Sequence, residues 1–91
     1  IKSFKHKGLK KLFTKGDTSG VRQDHVNRLR MILGLLNSAT EVRDMDCHCS
    51  SLHELKGDFE GQFAVKVNGN WRVFFKFENG HAYVVNYDDY H

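Results

Sequence analysis

Four proton-active side chains stand out in the sequence: Asp89, Tyr90 and His91 close the chain, and His53 lies near its middle. An imidazole titrates near neutral pH and can give or take a proton. A carboxylate beside it can orient it or act as a base itself. A phenol can donate a hydrogen bond or stack on a nucleobase. Such a set suits general acid–base chemistry. Cations for an anionic substrate are also at hand. Arg72 lies between Trp71 and Val73, so in a strand it points away from their face, together with Phe74 and Lys76. A guanidinium there can fork onto phosphate oxygens, or pair with Glu60 or Glu78. Lys56 precedes a turn at Gly57-Asp58.

Other reactive groups make weaker claims. Cys47-His48-Cys49, with Asp46 or His53 nearby, has the right donors for zinc. A zinc site usually spaces its cysteines by about two to four residues, and here one residue intervenes. Free thiols in a loop are therefore expected, with no metal and no cofactor. Two cysteines this close cannot staple distant segments, which suits a reducing, cytoplasmic setting. His6, His25 and His81 are expected at the surface.

The elements that must position these groups follow from periodicity. Phe63, Val65 and Val67, and then Trp71, Val73, Phe75 and Phe77, are apolar at every second residue. That is the mark of strands with one buried face. Asn68-Gly69-Asn70 and Asn79-Gly80 interrupt the pattern, and Asn-Gly favours tight hairpins. Residues 62–91 thus read as an antiparallel meander whose last strand leads into Asp88-Asp89-Tyr90-His91. Upstream, Lys7 to Lys15 is a short amphipathic helix with Leu9, Leu12 and Phe13 on one face. Gly16 to Gly20 is a loop in which Thr18 or Ser19 could cap the next helix. Val21 to Leu36 carries a helical stripe of Val26, Leu29, Leu33 and Leu36, widened by Ile32 and Leu35, with Asn37 as its stop. Ile1 to Phe4 reads as a short first strand and Leu52 to Leu55 as another. Ser38 to Ser51 has no clear period and reads as a loop or a short third helix. The expected fold class is α+β, with two N-terminal helices on one face of a small mixed or antiparallel sheet.

Ninety-one residues support one domain, 1–91, with no room for a second core. No apolar run is long enough to span a bilayer, and the visible start shows no signal-peptide pattern. The net charge of +3 is unevenly spread. Residues 1–30 hold nine basic side chains against Asp17 and Asp24, whereas residues 31–91 hold five against nine acids. A basic third of that density suits a polyanion such as nucleic acid, and equally a solvated helix surface.

Several stretches together resemble one family. They are Leu52-His53-Glu54-Leu55-Lys56-Gly57-Asp58, Val67-Asn68-Gly69-Asn70-Trp71-Arg72-Val73, Gly80 with Ala82-Tyr83, and the terminal Asp89-Tyr90-His91. The opening Ile1 to Leu9 joins them, so the likeness covers most of the chain. It resembles the HigB branch of the RelE/ParE toxin superfamily. The resemblance implies a RelE-like fold and a ribosome-dependent endoribonuclease that enters the ribosomal A site and cuts translated mRNA. It implies a HigA-type helix-turn-helix antitoxin as partner, and operator DNA contacted through that antitoxin. It also implies catalytic roles for His53, Asp89, Tyr90 and His91, and a phosphate-holding role for Lys56 and Arg72. Glu54 and Phe63 depart from the usual Pro and Trp at their positions, and Cys47-His48-Cys49 has no family role. Two other functions remain open on the residues alone: a ParE-like gyrase-binding inhibitor without catalysis, and a nucleic-acid-binding co-repressor module.

Overall fold

The computed structural model describes residues 1–46, 52–55 and 61–89. Its first helix, α1 (Lys7–Lys15), is fixed at both ends. His6 caps it, its Nδ1 accepting the Leu9 N–H at 3.2 Å. Gly16 ends it in the left-handed region at φ 69°, which glycine enters without a steric cost. There the Gly16 and Asp17 amides donate back to the Leu12 and Lys11 carbonyls. Leu9 and Leu12 are buried as the period requires, but Phe13 is not. Its ring lies 5.7 Å from that of Phe4 at the margin of the core.

The second helix, α2 (Val26–Ser38), begins later than its pattern suggests. Gln23–His25 tightens into a 3₁₀ turn. The Gln23 amide nitrogen donates to the Thr18 carbonyl at 2.8 Å, so the preceding loop is held by glutamine rather than by a Ser or Thr cap. Leu29, Ile32, Leu33 and Leu36 are essentially fully buried. Side chains of this kind each stabilise a fold by ~1.5–3 kcal/mol when withdrawn from water. The helix passes Asn37 and stops at Ser38. A further 3₁₀ turn, Val42–Met45, supplies buried Met45 to the core.

The sheet has four strands in sequential, antiparallel order: β1 (His53–Glu54), β2 (Gln62–Asn68), β3 (Trp71–Glu78) and β4 (His81–Asp89). Asn79 and Gly80 both adopt positive φ, 52° and 78°, as an Asn-Gly hairpin demands. The first strand read from Ile1 to Phe4 reduces to one parallel bridge, Phe4 to Val85. The segment still lies along β4, because Lys2 N–H donates to the Ala82 carbonyl and Val85 N–H to the Ser3 carbonyl. Both helices and the inward sides of β2, β3 and β4 share one apolar core. The architecture is therefore α+β, as the sequence pattern implies.

Two backbone details decide where functional groups point. A β-bulge at Val84 (φ 53°) breaks the β3–β4 register between Phe74 and Lys76. Beyond it, Val85, Tyr87 and Asp89 face the helices, and Asn86 and Asp88 face the open side. The other detail is a backbone crossing. A Cβ on Gly8 would collide with the Gly20 carbonyl, so only glycine lets α1 and the following loop pass this closely.

Candidate active site

Among the expected site residues that the structure describes, Arg72 is anchored by its own turn. It is half-buried in β3. One guanidinium nitrogen, Nη1, donates to the Gly69 carbonyl at 2.7 Å and to the Trp71 carbonyl at 3.1 Å. The hairpin therefore holds its own arginine, leaving the other nitrogens of the fork to point elsewhere. Glu78 stands opposite His81 at the far end of the strand. Across the ladders, Arg72 faces Lys66 on one side and Asp88 on the other. Two cations opposite one another repel, so Lys66 and Arg72 keep this row of the open face positive, with Asp88 as its counter-charge.

His53 lies on the same open face, in the next row. Antiparallel partners share a face, and the registers run His53, Ala64, Phe74, Asn86 across the sheet. The imidazole is exposed. Asp89 is placed differently. It pairs with Trp71, whose face is that of the helices, at the end of the opposite outer strand. Three inter-strand spacings of about 4.8 Å put roughly 14 Å between the backbones of β1 and β4. The fold thus brings Arg72 next to the end of β4 and sets His53 at the other margin of the sheet. Lys56, Tyr90 and His91 lie outside the described residues, as does Cys47-His48-Cys49. Among the described residues, no group of three or more His, Cys, Asp or Glu could hold a metal ion.

On the helix side, a cluster that no local sequence pattern announces surrounds the neighbours of Asp89. His25 is 2% exposed, not at the surface. Its Nδ1 is 2.5 Å from the Tyr87 hydroxyl, a hydrogen bond whose direction follows the imidazole tautomer. Burial, followed by the Asp24 charge, pushes the Tyr87 phenol up, and the Arg22 backbone and charge oppose it. The phenol therefore keeps its proton at physiological pH. The Trp71 ring lies 4.8 Å from that of Tyr87 and 5.6 Å from His25. The Arg22 guanidinium stands 5.9 Å over Trp71 and is paired with Asp24 at 3.2 Å. The bond to Asp24 holds Arg22 above its ordinary value, and Tyr87 and Asp89 add to that. Asp89 thus lies in the field of a cation that periodicity and composition do not single out.

His6 also departs from expectation. It is half-buried against the edge of Tyr87, with ring centroids 5.4 Å apart. Burial lowers its proton affinity, and Asp88 partly restores it. Both histidines had a faint signature. His25 falls four residues before Leu29 and seven before Ile32, on the apolar stripe of α2. His6 directly precedes α1 and has the side-chain acceptor that a cap needs.

Two comparisons bear on what this arrangement does. The family model for the RelE-like toxin HigB of type II toxin–antitoxin systems matches residues 2–91. Endoribonuclease HigB of Proteus vulgaris is 52% identical over 91 residues, covering 100% of this chain and 99% of that protein.

Proposed function

The chain belongs to the HigB-like toxins of type II toxin–antitoxin systems, and from that premise we propose that it cuts messenger RNA while ribosomes translate it. It is an endoribonuclease toxin, and its system provides an antitoxin partner. In the fuller reading the whole chain is one toxin domain that works in the cytoplasm, in the ribosomal A site. A HigA-type helix-turn-helix antitoxin neutralises it and carries it to operator DNA.

The chemistry is that of RNA acting on itself. A base takes the proton of a 2′-hydroxyl, and that oxygen attacks the adjacent phosphorus. The bond to the 5′-oxygen breaks, and an acid protonates the leaving oxygen. The products are a 2′,3′-cyclic phosphate and a free 5′-hydroxyl. Each positioned acid or base contributes ~10²–10⁴-fold, and a cation facing the developing phosphorane adds more. His53 and His91 share the acid and base roles. Arg72 and Lys56 hold the phosphate, so the nucleophile and the charge are both met without a metal. Tyr90 positions the nucleotide. Asp89 faces the helices and not the row of Arg72, which suits an orienting carboxylate better than a second base.

The observation that carries this reading is the junction of β3 and β4. A guanidinium pinned by its own turn stands across the ladder from the strand that runs into Asp89-Tyr90-His91. The test is to map cleavage of an mRNA on purified 70S ribosomes. The wild-type chain should cut within translated codons, and His91→Ala should cut at least ~10²-fold more slowly. A message with a 2′-deoxy sugar at the cut position should bind and survive. Its cleavage would refute the mechanism, and toxicity persisting in a His53→Ala, His91→Ala double variant would favour a non-catalytic inhibitor.

A further inference from the structure

We propose that His25 and Tyr87 are positioning residues for the cleavage: their buried hydrogen bond locks the end of β4 to the head of α2 and so sets where the Asp89 carboxylate lies. This rests on the reading that Asp89 takes part in the reaction.

Three observations converge on it. The bond joins side chains 62 residues apart in sequence, with His25 2% exposed and Tyr87 4% exposed. Tyr87 precedes Asp89 by two residues on the same side of β4. Trp71, the register partner of Asp89, packs against both the phenol and the imidazole. Three rings therefore cluster on the face of the sheet to which Asp89 belongs, with Arg22 over Trp71 and in electrostatic reach of Asp89.

Stability alone gives little reason for a polar pair here. β4 is already held by its ladder to β3 and by buried Val85. Burying an imidazole and a phenol strips both of water, and their mutual bond does little more than offset that cost. Two apolar side chains of similar size would fill the space about as well. A hydrogen bond adds direction, which packing does not. It fixes the rotation of β4 about its axis at the last turn of the pleat before Asp89.

The experiment measures steady-state cleavage of mRNA on 70S ribosomes by the purified full chain, with folding followed by circular dichroism in urea. Displacing a catalytic group by ~1 Å can cost up to ~10²-fold. Tyr87→Phe should therefore lower kcat by roughly 10- to 100-fold, with KM changed less than about twofold. His25→Leu combined with Tyr87→Phe should keep near wild-type stability and show the same fall in kcat. His25→Asn, whose amide stands near the place of Nδ1, should recover most of the rate. A purely structural bond would instead move the urea midpoint and leave kcat per folded molecule unchanged. Wild-type kcat in folded Tyr87→Phe overturns the inference, whether or not the double variant folds. Asp89→Asn separates the two layers. If it is inert while Tyr87→Phe is fully active, the positioning role alone falls. If Asp89→Asn cuts at the full rate, the reading of Asp89 falls and this inference with it.

Discussion

Arg72 shows how much one residue can owe to its own turn. Among the described residues its guanidinium is fixed by the Gly69 and Trp71 carbonyls and not hydrogen-bonded by an acid. A carboxylate bonded to the fork would cancel part of the charge that a phosphate needs, whereas carbonyls hold the fork without adding a formal negative charge to that of Asp88 across the ladder. Lysine has a compact point charge and no planar fork, so it does not reproduce the geometry that serves the carbonyls and the phosphate together. Arg72→Ala is expected to lower kcat by ~10²–10³, the usual effect of removing one charge-stabilising donor. Arg72→Lys should regain only a small part of that in single-turnover cleavage. Full recovery by lysine would mean that charge alone is enough. The alternation around Trp71 and Val73 made this residue legible, because position on a strand face follows from a period of two. His25 was not legible in the same way. Its partner lies 62 residues away, and no local pattern encodes a contact of that range.

At the scale of elements, the meander and both helices were legible, and their junctions were not. Strand faces and helix stripes repeat, so several residues agree on each assignment. A bulge is a single event, and the one at Val84 decides that Asp89 and not Asp88 faces the helices. Uniform alternation from Ala82 would have produced the reverse. The cap of α1 is a single event too, and it has a consequence for pH. His6 can accept the Leu9 N–H only while Nδ1 carries no proton. Burial lowers the His6 pKa from 6.5, with Asp88 opposing. A group whose folded pKa is depressed adds stability above its unfolded value, and that stability disappears as pH falls through the folded one. The α1 cap should therefore weaken progressively below pH 6.5. Asparagine caps a helix without titrating. His6→Asn should show a smaller drop in urea midpoint than wild type between about pH 7.5 and about pH 5. An equal drop would place the acid sensitivity elsewhere.

For the whole molecule, the uneven charge has a place as well as a size. The exposed lysines of α1, Lys7, Lys10, Lys11 and Lys15, continue from exposed Lys2 and Lys5 along the segment bridged to β4. None of them forms an ion pair among the described residues. Exposed cations on a fixed helix are effective against a regular polyanion, because no close ion pair among the described residues has to be broken first, although Asp17 lies in the field of Lys11 and Lys15. Ribosomal RNA is such a surface, and the proposed cleavage in the A site would gain from a docking face separate from the cutting face. The charge imbalance was legible as a sum over residues and its helix as a periodicity, but only the fold shows that Lys2 and Lys5 continue it along β4. Binding of this kind weakens as salt rises, since each neutralised phosphate releases counterions. Changing Lys7, Lys10 and Lys11 to Glu should lower affinity for 70S ribosomes. It should also flatten the log–log salt dependence by roughly one unit for each phosphate no longer neutralised. The cleavage rate at saturating ribosomes should stay near wild type, because the substitutions leave Arg72, His53 and the end of β4 untouched. Unchanged affinity and an unchanged salt slope would assign these lysines to solvent. A reduced rate at saturation would instead mean that docking and cutting share one surface.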